Sequence, residues 1–349
     1  LWPELRFDLA SVRYPERLNC AVELLDKVAD RLGAHRRCLL SPGAPAWSYA
    51  DLRRVSNQIA AVLTEDHGIV PGNRVLLRGP NNPWLVACWF GVIKAGAVAV
   101  TTMPMLRAGE LVKIAATAAV DFALCDSRFT KELTNSGVAG LRVVEFGGES
   151  GLASAIEDKA ADFTAVDTAA DDVALMAFTS GTTGRAKATM HFHRDVLAIA
   201  DTFSAHVVKP EADDVFTGTP PVAFTFGLGG LVVFPLRVGA STLLLEKATP
   251  DQLADHIAEH NVTVCFTAPT AYRAMVASGN AHKLSTLRRA VSAGEHLPRA
   301  TWQAVFEATG VKLIDGIGAT EMLHVFIASA DDDIRPGSTG RVVPGYVAE

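Results

Sequence analysis

The order of apolar and polar positions divides the chain into alternating helices and strands. "DLRRVSNQIAAVLTED" repeats its apolar residues every three or four positions and predicts an amphipathic helix. "NRVLLRG" after it predicts a strand. "NPWLVACWFGVIKAG" then reads as helix, "AVAVTTM" as strand, "RAGELVKIAATAA" as helix and "DFALCD" as strand. In the second half Thr249 and Pro250 mark a helix start, an N-cap followed by proline in the first turn, before "DQLADHIAEHN". "VTVCF", "PTAYRAMVASG", "LRRAVSA" and "RATWQAVFEATG" continue the alternation. Short, continuously apolar strands separated by amphipathic helices predict largely parallel sheets covered on both faces, the α/β class.

A chain of 349 residues is too long for one small core and predicts two or three lobes. A first α/β lobe is placed at 1–165, a second at 166–335, and the start of a small β-barrel at 336–349, where "IRPGSTGRVVPGYVAE" turns rich in glycine and proline. The acidic run Asp331 to Asp333 reads as a solvated turn. Neither an internal repeat nor a low-complexity linker is visible.

Composition narrows the function classes. Apolar residues make up 49%, charged residues 20%, and the net charge is −6, an ordinary globular balance without the basic footprint of a nucleic-acid binder. The five cysteines (Cys20, Cys38, Cys88, Cys125, Cys265) show no CxxC or zinc spacing and read as reduced core thiols of a cytoplasmic protein. "WLVACWFGVI" and "FGLGGLVVFPL" are too short to span a membrane. The opening "LWPELRFDLA" is charged, unlike a signal peptide, and its initial Leu suggests a trimmed N-terminus.

The densest chemistry lies in "FTSGTTGRAKATMHFHRD", Phe178 to Asp195. It does not satisfy GxxxxGK[ST]: Gly181 and Gly184 are three apart, and Lys187 is three further on. Nor does a GxGxxG open a helix after the first strand. The ingredients are nevertheless those of phosphate binding: glycines that let backbone N–H groups converge, hydroxyl donors and a lysine, following the strand "VALMAF". His191 and His193, with Arg194 and Asp195, read as the opening of a helix; capping and catalysis are both open for them.

"TSGTTGRAK" (Thr179 to Lys187) resembles the nucleotide loop of the AMP-forming adenylate-forming enzymes, the acyl- and aryl-CoA synthetases and their relatives. "DGIGATE" (Asp315 to Glu321) resembles that family's adenine-and-magnesium segment, "SAGEHLP" (Ser292 to Pro298) its adenine-side loop, and "PGSTGRVVPG" (Pro336 to Gly345) the segment opening its small barrel. The four stand in the family's order, and the resemblance covers essentially the whole chain. "PPVAFTFGLGG", "ATEMLHVF" and "TMHFHRD" are similar to stretches of benzoate–CoA and 2-aminobenzoate–CoA ligases, with the 2-aminobenzoate type preferred.

The resemblance implies the fold of the large N-terminal domain of an acyl-CoA synthetase: two mainly parallel sheets flanked by helices, with the small β-barrel mostly truncated. It implies ATP-dependent activation of an aryl acid to an aryl-AMP and then an aryl–CoA thioester, in aromatic acid degradation. The implied partners are a small aromatic carboxylic acid, ATP, Mg²⁺ and coenzyme A, with a homodimer left open. By the same resemblance Thr179, Ser180, Gly181, Thr182, Thr183, Gly184 and Lys187 hold the β- and γ-phosphates. Thr320 donates to the α-phosphate and Glu321 ligates Mg²⁺. Gly294, Glu295, Asp315, Gly316 and Ile317 frame the adenine; Thr225, Phe226, Gly227, Gly318, His324 and Val325 line the acid pocket.

Three positions depart from the family: Ile317 stands where an aromatic ring is common, and Ala186 and Ala188 where proline and glycine are usual. The family's ribose-binding Asp, and the mobile C-terminal domain with its catalytic Lys, are expected beyond Glu349, so the chain is expected to be a truncated domain inactive alone. Two alternatives stand beside this reading: an aryl-AMP ligase delivering to a carrier protein, and a nucleotide-binding module without catalysis.

Overall fold

The computed structural model describes residues 6–149, 151–179 and 187–348. Among them, the strands form two sheets. The first has six strands in the order Arg142–Phe146, Phe122–Asp126, Arg74–Arg78, Val98–Thr102, Val173–Thr179 and Lys187–Phe192. Five run parallel, and the last folds back antiparallel on Val173–Thr179. The second has nine: Arg341–Val342, Val325–Ala328, Leu313–Gly318, Arg289–Ala293, Val264–Thr267, Val215–Gly218, Ser241–Leu243, Arg37–Leu40 and Trp47–Ser48. Its interior is parallel and both edges are antiparallel. The expected pair of mainly parallel sheets flanked by helices is present.

Sheet membership crosses residue 165 in both directions. Arg37–Leu40 joins the nine-stranded sheet, while Val173–Thr179 and Lys187–Phe192 extend the six-stranded one. A four-residue apolar run identifies a buried strand but not its neighbour, so pairing of this kind is invisible to periodicity. Arg341–Val342 pairs with Val325–Ala328 at the edge of the larger sheet.

Local chemistry starts the helices. Ser48 and Thr249 close capping boxes with Asp51 and Gln252, the latter ahead of Pro250–Glu259. The Asn82 side chain accepts from the Leu85 amide at 2.9 Å and Pro83 occupies the first turn of Pro83–Lys94. That helix is apolar nearly all round, and Leu85 to Lys94 are buried, as expected of a helix enclosed by protein. Its single charge, the Lys94 amine, meets Asp26 at 2.7 Å and Asn57 at 2.6 Å. Among the described residues no helix is long and apolar enough to cross a membrane. All five cysteines are buried and free.

The run Asp331 to Asp333 is not simply solvated. Asp331 is held by both Lys209 and Arg289 at 2.7 Å, and Asp332 by Lys312 at 2.8 Å. A sequence shows the acidic run but not cations that arrive from other elements.

Candidate active site

The hairpin of the six-stranded sheet places the phosphate-type loop. Thr179 lies opposite Lys187 in register, so the residues between them form the connection of two antiparallel strands. Ser180, Gly181, Thr182, Thr183 and Gly184 lie outside the described residues, as do Arg185 and Ala186. Lys187 is exposed at the start of the edge strand and makes no ion pair among the described residues. His191 does not open a helix: it belongs to the strand Lys187–Phe192, and the helix begins at His193. Lys187 and Met190 are exposed while His191 is buried, beside the Thr189 hydroxyl at 3.1 Å. His193 is structural. Its Nδ1 accepts the Cys20 amide at 3.2 Å, and burial pulls its pKa down to about 4, which keeps the ring neutral.

The nine-stranded sheet supplies the opposite wall. Parallel pairing sets Ser292 against Asp315 and Ala293 against Gly316, so the loop after one strand leaves beside the glycine-rich end of the next. Gly294 has φ of +86°, and a Cβ there would meet nothing within 4 Å. Glu295 is exposed and accepts from the Thr270 hydroxyl at 3.2 Å. The Asp315 carboxyl is raised above its ordinary pKa by burial, with Thr339 as a hydrogen-bond partner opposing the shift. Ile317 is 46% exposed, a large apolar side chain open beside Gly294 and Gly316. Gly318 pairs with Val325, and a Cβ on it would lie 2.7 Å from the His324 carbonyl oxygen, closer than a side chain can sit.

Thr320 to Met322 form a short turn that Leu323 ends in the left-handed region at φ +63°. Thr320 is half-buried, and Glu321 is exposed, without an ion pair among the described residues. The turn packs onto both strands of the Thr179/Lys187 hairpin. The His191 ring interacts with the Thr320 backbone and lies near Glu321; burial takes its pKa down to about 4. The turn of one sheet therefore meets the hairpin of the other, and the contact runs through His191, four residues along the strand from Lys187.

The proposed acid-side residues gather around His324. Its ring centroid lies 4.6 Å from Phe234, 5.2 Å from Phe203, 5.4 Å from Phe226 and 6.3 Å from Phe266. Burial lowers its pKa to about 3, so the ring is neutral. Nε2 faces the Phe226 carbonyl oxygen at 3.4 Å, which assigns the hydrogen to that nitrogen. Nδ1 is buried and has no hydrogen-bond partner. Phe226 and Gly227 belong to the short helix Thr225–Leu228, which follows Phe224, 44% exposed. Gly227 has no room for a Cβ against the Pro221 carbonyl. The sequence reading missed what holds this segment. Asn81 donates to the Pro220 carbonyl at 3.0 Å and accepts from the Val222 amide at 2.7 Å, while the Thr101 hydroxyl donates to the Ala223 carbonyl at 3.0 Å. Thr101 lies in a strand of the other sheet and Asn81 in the loop after its strand Arg74–Arg78, and no local pattern announces either.

Two mainly parallel sheets flanked by helices, with the Thr320–Met322 turn of one packed on the hairpin strands of the other, define the class of the protein. A family described as AMP-binding enzyme matches residues 25–349, and the chain belongs to that family, the superfamily of AMP-forming acyl- and aryl-CoA ligases. It is 30% identical to benzoate–CoA ligase of Thauera aromatica over 349 residues, covering 96% of this chain and 65% of that protein. It is 32% identical to 3-hydroxybenzoate–CoA ligase of Aromatoleum sp. (strain CIB) over 313 residues, covering 86% of this chain and 59% of that protein. The fold superposes on the anthranilate CoA ligase AuaEII, crystallised with anthranoyl-AMP, with a TM-score of 0.90 at 30% identity, covering 96% of this chain and 66% of that one. The chain thus spans slightly less than two thirds of the length of these relatives.

Proposed function

We propose that this chain binds ATP and an aryl carboxylic acid, that a carboxylate oxygen attacks the α-phosphorus with pyrophosphate leaving, and that the aryl adenylate so formed is the activated acid from which coenzyme A makes a thioester with release of AMP. The observation that carries the reading is the packing of the Thr320–Met322 turn onto the hairpin that ends at Thr179 and Lys187. A carboxylate loses oxide too reluctantly to react with a thiol, whereas AMP is a good leaving group. Bringing an anionic acid to an anionic phosphate calls for positioning and charge neutralisation. Lys187 supplies a positive charge beside the loop of hydroxyl and glycine residues from Thr179 to Gly184, and Thr320 a hydroxyl donor to the α-phosphate. Glu321 offers a hard carboxylate oxygen free of any described ion pair, a donor that suits Mg²⁺, which when bound neutralises phosphate charge. Exposed Ile317, with open Gly294 and paired Gly316, gives an adenine ring an apolar face to rest on.

For the acid, the cluster around Phe226, Gly318, His324 and Val325 is aromatic and small, as a flat ring requires. The unpartnered Nδ1 of His324 is an acceptor, and an aryl acid bearing an amino or hydroxyl group would satisfy it, whereas plain benzoate would not. This supports the 2-aminobenzoate type. Calorimetry of the chain with MgATP, 2-aminobenzoate, benzoate and hexanoate tests the reading. MgATP and 2-aminobenzoate should bind, with benzoate weaker. Absence of MgATP binding overturns the nucleotide assignment, and preference for hexanoate overturns the aryl one.

A further inference from the structure

We infer that the end of the helix Pro250–Glu259 carries a transition-metal site, built by His256, Glu259 and His260 and suited to Zn²⁺. Their spacing is i, i+3 and i+4, which on a 3.6-residue helix sets Glu259 and His260 on either side of the line above His256. One ligand atom from each residue lies within 4.8 Å of the others. His256 Nδ1 already approaches a Glu259 carboxylate oxygen at 3.5 Å, and the two imidazole centroids are 5.9 Å apart. Nδ1 is also buried and makes no hydrogen bond, so this nitrogen stands beside the carboxylate with no partner of its own.

The ligand type selects the ion. Two borderline imidazole nitrogens, joined by one carboxylate oxygen, suit zinc and copper far better than magnesium or calcium. Three protein ligands on one helical face leave a further position for water. The electrostatics agree, because His260 is the C-cap, and the last carbonyls of a helix carry the negative end of its dipole.

The site is separate from the acidic turn proposed for Mg²⁺. The helix ends just before the strand Val264–Thr267 begins, whereas Gly294 and Gly318 stand at the finishing ends of the neighbouring strands. His256 and Glu321 therefore lie toward opposite ends of the parallel strands of the same sheet.

Zinc chloride titrated calorimetrically into the chain, with excess Mg²⁺ present to fill hard-oxygen sites, should report one site. Co²⁺ in its place should give the visible absorption of a nitrogen-ligated ion. His256→Gln and His260→Gln should each weaken Zn²⁺ by about tenfold or more, with circular dichroism unchanged. His35→Gln, which removes an exposed imidazole elsewhere, should leave affinity as it is. His260 caps the helix end, so its variant decides the matter if His256→Gln does not fold. No zinc binding by the unmodified chain, full affinity in the folded variants, or an equal loss in His35→Gln overturns the site.

Discussion

Replacing Lys187 with alanine separates a phosphate-binding role from a structural one. Lys187 begins an edge strand, is exposed, and has no ion pair among the described residues, so the fold asks little of its amine. Its register opposite Thr179 depends on backbone hydrogen bonds, which alanine keeps. The stability change should therefore stay within about 0.5 kcal/mol, as for an ordinary surface substitution. Binding should respond differently. A charged donor to a phosphate oxygen is worth roughly 1.5 to 3 kcal/mol, which corresponds to a rise of about tenfold to 150-fold in Kd for MgATP. Calorimetric titration with MgATP beside a thermal melt of each variant gives both quantities. Lys187→Arg, which keeps the charge but changes its shape, should fall between the two. An unchanged Kd in Lys187→Ala would refute the assignment. So would a Tm loss large enough to account for the weaker binding.

Three further outcomes follow from the packing and the titrating groups. Arg288→Ala should cost about 3 kcal/mol in urea unfolding, because it removes the only cation from the Asp214 carboxylate, which is 3% exposed and would keep just the Thr263 hydroxyl and the Glu211 amide as donors. Gly318→Ala should destabilise by roughly 1 to 3 kcal/mol and weaken 2-aminobenzoate binding, since the added Cβ would press on the His324 carbonyl; intact affinity would remove Gly318 from the acid site. Buried neutral histidines should make the fold acid-sensitive. His193 falls from 6.5 to about 4 on folding, so its contribution is complete above pH 6.5 and is lost as pH drops towards 4, by roughly 3 kcal/mol in all. His324 acts in the same direction over a window reaching to about pH 3. Urea midpoints that stay flat between pH 7 and 5 would contradict both.

How much of this was legible in the sequence depends on the range of the interaction that decides each feature. Helices were readable because their signals are local: Thr249 and Gln252 cap the helix that Pro250 starts, and Asn82 with Pro83 does the same for the next-door lobe. Strand existence was readable from runs such as "FALCD", but strand partnership was not. Nothing in "RCLL" says that Arg37–Leu40 would lie beside Ser241–Leu243, some two hundred residues along. His191 was misread for a related reason. The Arg194–Asp195 pair is a fair helix-start signal, and the helix does begin at His193, but the alternation Lys187, Thr189, His191 belongs to the preceding strand.

The candidate site repeats the same division between local and distant causes. Glycines needed for close approach, such as Gly318 and Gly227, carry their meaning in the chain, because only glycine tolerates a carbonyl that near. Their partners do not. Asn81, in the loop after a strand of one sheet, holds Pro220 and Val222 in a loop after a strand of the other and looks unremarkable among its sequence neighbours; His191 stood out in the sequence, but not as the residue under the Thr320 turn. A site assembled between two sheets must be fastened by residues from both. The motif that meets the ligand can be short and recognisable, while its fastenings are single polar side chains scattered through the chain. Asn81→Ala is the variant that isolates a fastening from the motif it serves. It leaves the Val222 amide unpaired and frees the segment leading to Phe226, while touching neither Lys187 nor Glu321. Aryl-acid affinity should therefore fall while MgATP affinity holds. Equal loss of both would mean that Asn81 supports the fold as a whole and not the acid side of the site.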